Sequence, residues 1–162
     1  MKILILYSGN LGTTEKAAKY LAEKLPDAVV VDTADEPQID FGNYDAVVFG
    51  TNVRMFRLNK RFVKYAKLWI KARTGKPVYA FVIGADEIKI PKYVMKADKK
   101  LKSPGACVFA GGELNIEGAN KFEKGVIEGV LEAYKKEEKS LPSLKYGVLR
   151  ELAEKITADA EK

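Results

Sequence analysis

The chain has 162 residues, 47% hydrophobic and 31% charged, with a formal net charge of +6, a composition that excludes a disordered or fibrous chain. A single cysteine and no histidine exclude an internal disulfide, a CxxC pair, a cysteine-held iron-sulfur cluster, Ser-His-Asp catalysis and imidazole-held zinc. Any redox chemistry must therefore reside on a bound organic cofactor.

The length suits one domain, expected to span residues 1–162. KILILY opens the chain as an aliphatic run ended by turn residues, the pattern of a strand buried on both faces. It is too short for the apolar core of a signal peptide. TTEKAAKYLAEKL then sets Ala17, Ala18, Leu21 and Leu25 on one face, a helix of period 3.6. AVVVD, Ala28 to Asp32, reads as a second strand and DAVVFGT, Asp45 to Thr51, as a third. Asn59 is placed to cap a helix whose stripe is Phe62, Val63, Ala66, Trp69 and Ile70, with Lys60, Lys64, Lys67 and Lys71 facing water and Gly75 ending it. PVYAFVIG, from Pro77, is the fourth strand, KYVMKADKKLK a short basic helix, and ACVFAGGEL, from Ala106, the fifth strand, in which Cys107 reads as an inert buried thiol. Phe122, Val126, Val130 and Tyr134 mark a long amphipathic helix. After the polar link KSLPSLKYG, Leu149, Leu152 and Ile156 mark a last one.

No stretch approaches the roughly 18 apolar residues that span a bilayer, so the expected location is cytoplasmic. Strands alternating with helices predict an α/β fold, an open parallel sheet with helices on both faces. Such sheets bind ligands beyond the carboxyl ends of their strands. The first of those ends leads into SGNLGTT, where exposed amides and a helix dipole favour an anion. Gly9 and Gly12 let the backbone wrap closely, while Ser8, Asn10, Thr13 and Thr14 offer side-chain donors. The loop lacks the lysine of GxxxxGK[ST] and the third glycine of GxGxxG, which turns the reading away from a nucleoside triphosphate or a dinucleotide. The plainer alternative is a tight turn closed by a Thr13 or Thr14 cap.

YSGNLGTTE resembles the phosphate loop of the flavodoxin family, with Tyr7, Gly12 and Thr14 on that family's pattern and Gly9 where it carries Ser or Thr, a contact that Ser8 or Asn10 would replace. YDAVVFGTNVRMFRLNKRFVKYAK is similar to the third strand, flavin-side loop and basic helix of the flavodoxin-like subgroup that includes menaquinone-dependent protoporphyrinogen oxidase, with Val53 and Arg54 at the matching turn. CVFAGGELNIEGANKFEKGVIEGVLEAYKK resembles that subgroup's last strand and helix. The resemblance implies a three-layer sandwich with a five-stranded parallel sheet in the order 2-1-3-4-5, and FMN as cofactor. The phosphate would belong to Ser8, Gly9, Asn10, Leu11, Gly12, Thr13 and Thr14. The ring would lie against Thr51, Asn52, Val53, Arg54 and Met55 on one side and Gly84, Ala85, Asp86 and Glu87 on the other. No side chain need be catalytic, since protein groups position the flavin and tune it, and no metal is implied.

From Arg54 to Lys102 there are fifteen Lys or Arg against three acids, a local net of +12 that leaves −6 for the rest. That segment suits an anionic substrate or the surface of a membrane whose inner face the protein would visit as a peripheral partner. Three functions compete. An enzyme would oxidise protoporphyrinogen or a related substrate and pass electrons through FMN to a quinone. A carrier would shuttle electrons between redox partner proteins, although carriers of this family are typically acidic. A nucleic-acid-binding domain would explain the charge but leave the glycine-hydroxyl loop without a task.

Overall fold

The computed structural model describes residues 1–54, 57–84 and 107–162. Five strands run parallel: β1 Ile3–Ser8, β2 Ala28–Asp32, β3 Ala46–Arg54, β5 Val78–Ile83 and β6 Cys107–Phe109. Between β3 and β5 in the chain comes β4, Arg57–Leu58, which folds back antiparallel on the tip of β3, pairing Val53 with Leu58 and Arg54 with Arg57. The sheet order is therefore β2-β1-β3-β5-β6, the expected parallel order with β4 as an unforeseen addition off its path. Two residues carry no alternation from which a strand could be read.

Successive side chains of a strand point to opposite faces, and β1 shows what this does. Ile3, Ile5 and Tyr7 pack with Ala17, Ala18 and Leu21 of α1 (Thr13–Glu23) and with Leu149, Leu152 and Ile156 of α4 (Tyr146–Ala160). Leu4 and Leu6 pack on the other face with Phe62, Tyr65, Ala66 and Trp69 of α2 (Lys60–Ala72). Burying each of these large side chains contributes about 1.5–3 kcal/mol, which is why the two stripes decide where the helices lie. The Asn59 side chain accepts from the Arg61 amide at 3.0 Å and caps α2 as expected. The helix ends at Ala72, however, because Arg73 turns left-handed at φ 48°, two residues before Gly75.

Two expectations are corrected at the far edge. Cys107 is exposed, because it opens a three-residue edge strand and leaves the sheet there. The helix marked by Phe122 and Val126 is present as α3, Lys121–Lys136, begun by a capping box between Asn120 and Glu123. None of its residues is buried, and Phe122 is 70% exposed. KYVMKADKKLK lies outside the described residues. Among the described residues no helix is long and apolar enough to cross a membrane.

A pair of opposed pKa shifts ties β5 to α4. The Tyr79 hydroxyl donates to Asp159 Oδ2 at 3.1 Å, and Lys155 and Lys162 donate to the same carboxylate at 3.1 Å each. Hydrogen bonds from the two lysines hold Asp159 down at about 2, whereas burial, then Asp159 itself, pushes Tyr79 up to about 12. A depressed carboxyl stabilises the fold above its ordinary range and loses that contribution as pH falls; a raised phenol contributes below pH 10 and loses it as pH rises toward 12. The thermal midpoint is therefore expected to fall from about pH 4 to 2 and again from about pH 10 to 12. Asp159→Asn should flatten the acid limb and Tyr79→Phe the alkaline one. Unchanged limbs in differential scanning calorimetry would remove this linkage.

Candidate functional site

The carboxyl ends of β1 and β3 lie side by side, Ser8 opposite Thr51, with β2 on the far side of β1 and β5 on the far side of β3. The connections leaving β1 and β3 thus diverge, and the opening between them is where an α/β sheet takes a ligand. The loop from β1 turns into α1 at Gly12, whose φ of 87° is a conformation that suits only glycine without strain. α1 has no side-chain cap, and neither has α4, whereas α2 and α3 are capped by Asn59 and Asn120. At α1 this uncapped start opens beyond the carboxyl end of β1, where exposed amides and the helix dipole favour an anion.

Each expected site residue within the described chain has a definite place. Ser8 is buried and its hydroxyl lies 2.8 Å from that of Thr33, so it is engaged with the segment after β2. Gly9 passes so close to Thr14 that a Cβ on it would lie 2.7 Å from Thr14 Cβ and 2.8 Å from its hydroxyl. This accounts for glycine where a hydroxyl residue was expected: Thr14 fills the space. Thr13 and Thr14 are buried, and no other described side chain engages their hydroxyls. Asn10 is exposed; turned so that its oxygen faces Arg54, its amide accepts from that guanidinium at 3.0 Å and donates to the Gly9 carbonyl at 3.0 Å. The Leu11 carbonyl accepts from Asn115 Nδ2 at 3.2 Å.

On the β3 side, Thr51 is fully buried and Asn52 accepts from Asn59 Nδ2 at 3.0 Å. Val53 and Arg54 are fixed in the ribbon with β4, and Arg54 forms an ion pair with Glu123 at the start of α3. Gly84, after β5, donates its amide to the Gly111 carbonyl at 2.9 Å. Met55, Ala85, Asp86 and Glu87 lie outside the described residues. Tyr7, the aromatic residue before the loop, has its phenol held neutral by burial and by its hydrogen bond with Asp32.

Three contributors carried no signal in the sequence. Arg61 reaches from α2 to donate to the Gly9 carbonyl at 2.8 Å, Asn115 steadies Leu11, and Glu113 meets Lys16 of α1 at 2.9 Å. Arg61 lies fifty-two positions from its partner, a separation across which no periodicity reads; the only hint was its place two residues after a capping asparagine.

The glycine cradle, the uncapped helix end and the threonine hydroxyls fit the phosphate of a mononucleotide. Comparison with known proteins gives the family. A family model described as a flavodoxin domain matches residues 4–140, and the chain belongs to the flavodoxin domain family. A flavodoxin of Maridesulfovibrio salexigens is 34% identical over 127 residues, covering 72% of this chain and 86% of that protein. The protoporphyrinogen IX dehydrogenase (quinone) of Escherichia coli is 37% identical over 145 residues, covering 81% and 79%. Among solved structures, a flavodoxin from the domain Archaea superposes with a TM-score of 0.58 at 12% identity, over 97% of this chain and 99% of its own. A flavoprotein of Lactobacillus acidophilus, solved in complex with FMN, gives 0.55 at 16% identity over 67% and 91%. At such identities the structural likeness speaks to the fold.

Proposed function

We propose that this chain is an FMN-binding redox protein that passes electrons from an organic substrate to a quinone. The observation that carries the reading is the uncapped start of α1 behind Gly9 and Gly12, opening between β1 and β3. The amides at Gly12 to Thr14 and the hydroxyls of Thr13 and Thr14 hold the phosphate. Arg61 keeps the loop in shape from behind through the Gly9 carbonyl. Asn52 and Val53, fixed by Asn59 and by the β4 ribbon, present backbone groups to the ring, and Gly84 stands just past β5; Met55, Ala85, Asp86 and Glu87 are assigned to the ring by the family resemblance alone. Bound FMN supplies the capacity to take up and release electrons that no side chain of this composition has. Arg54 stands at the tip of β3 with its charge balanced by Glu123, which fixes the guanidinium in place.

The substrate reading follows the 37% identity to the E. coli dehydrogenase, together with the cationic stretch from Arg54 to Lys102, which suits an anionic substrate or an anionic membrane surface near a quinone. A carrier between redox proteins is the second reading, favoured by the M. salexigens relative. Titrating the FMN-free chain with FMN is expected to quench flavin fluorescence. At a hundredfold excess over Kd it should stabilise the fold by about 2.7 kcal/mol, raising the thermal midpoint by roughly 5–10 °C. Absence of both effects would end the reading. Porphyrinogen consumption with a menaquinone analogue then separates enzyme from carrier.

A further inference from the structure

Beside the phosphate loop, between the β3–β4 ribbon and the start of α2, lies a cleft of about 300 Å³. Arg54, Arg57, Lys60 and Arg61 line it together with the amide side chains of Asn10 and Asn52, and among the described residues no carboxylate lines it. Glu123 balances Arg54 from outside the cleft, and the three remaining cations repel one another, which favours an anion between them.

The four are not equally engaged. Arg54 is paired with Glu123, and Arg61 donates one nitrogen to the Gly9 carbonyl. Arg57 and Lys60 are exposed and have no carboxylate partner among the described residues. Arg61 Nε is buried without any hydrogen-bond partner in the described chain. An orphaned donor on a permanent cation is costly, and a ligand oxygen is one way to satisfy it. The volume stands at the small end of ligand sites and accommodates an anionic arm.

We propose that this cleft is an oxyanion subsite, distinct from the phosphate loop, that anchors the carboxylate or phosphate of the molecule exchanging electrons with the flavin. The proposal rests on the flavin reading for its second clause only. Arg57 of β4 and Lys60 of α2 are not among the groups assigned to the phosphate, although Asn10 of the loop lines the cleft and Arg61 of α2 braces the loop, so the two anions are gripped by different side chains. Because Asn10, Asn52 and Arg54 line the cleft and also belong to the flavin site, an anion held there leaves the rest of its molecule next to the ring. Guanidinium groups grip carboxylates and phosphates alike through paired N–H donors.

The test is titration of the FMN-loaded protein with succinate and, separately, with inorganic phosphate, followed by calorimetry and amide NMR. Saturable, salt-sensitive binding is expected that shifts the amides of Leu58 to Arg61 while FMN stays bound, and that weakens about tenfold in the Arg57→Ala, Lys60→Ala double variant with FMN affinity unchanged. Tighter succinate binding would mark a carboxylate substrate, and tighter phosphate binding a phosphorylated one. No saturable binding, equal binding by the double variant, or release of FMN in step with the anion would overturn the subsite. If FMN itself fails to bind but either anion still shifts Lys60 in the flavin-free chain, the subsite stands and the flavin reading falls.

Discussion

Gly111→Ala is expected to cost about 3 kcal/mol or more and to lower the thermal midpoint by roughly 10 °C. Two independent penalties combine there. The residue sits at φ 74°, where a side chain is strained, and a Cβ on it would lie 2.2 Å from the Ser143 carbonyl oxygen, a backbone atom that cannot swing aside. The damage would not stay local. Around this residue the Gly112 amide donates to Ser143 at 3.2 Å and the Lys145 amide to Ala110 at 2.8 Å, which brings the chain from β6 to the start of α4. The Gly111 carbonyl also receives the Gly84 amide at 2.9 Å, so the edge of the proposed ring site shifts with it. Gly125→Ala is the control. It lies within α3 with nothing inside 4 Å of the added carbon, and alanine there should be neutral or stabilising by up to about 1 kcal/mol. Equal midpoints for the two variants in thermal denaturation would show that the contact with Ser143 is not what holds this corner.

The second large effect falls on the cofactor rather than the fold. Gly9→Ala drives a methyl group into Thr14, and because the loop is short, the shift moves the amides and the threonine hydroxyl assigned to the phosphate. Losing one or two hydrogen bonds to a charged group is worth about 3 kcal/mol, roughly a hundredfold in Kd for FMN. The flavin-free protein should melt somewhat below the parent, since the added carbon presses on buried Thr14, but by less than Gly111→Ala, because Gly9 is only half-buried and its φ is not left-handed. Fluorescence titration of Gly9→Ala, Thr14→Gly and the double variant decides the mechanism, because only glycine at 14 removes the Cβ that the methyl meets. Where the methyl acts through Thr14, the double variant binds no worse than Thr14→Gly alone. Additive losses would place the effect elsewhere.

Much of this architecture was legible because burial on both faces leaves an unbroken apolar run: ILILY, AVVFG and VYAFVI could be little else. The α2 stripe read correctly for the complementary reason, with Phe62, Ala66 and Trp69 recurring at helical spacing among lysines. What escaped was non-local or too short. The ribbon at Arg57–Leu58 has no period, Ser8 meets Thr33 only because β1 and β2 are neighbours, and Arg54 finds Glu123 across sixty-nine positions. Cys107 misled because an apolar flank marks burial only in the middle of a sheet, not at the first residue of its edge. Around the site, the glycines at 9 and 12 announced a cradle, but nothing in one dimension could show that Thr14 occupies the place of the missing hydroxyl side chain.

The two apolar clusters on either side of β1 share no side chain, and that partition bears on how such a protein diversifies. Revision of the α2 face, where the cationic cleft lies, leaves the contacts among α1, α4 and the sheet untouched, with Arg61 as the hinge joining the halves at the loop. The apolar support of α2 can therefore change without loosening α1 and α4, while Asn10, Asn52 and Arg54, shared by the cleft and the proposed flavin site, tie the two sites together.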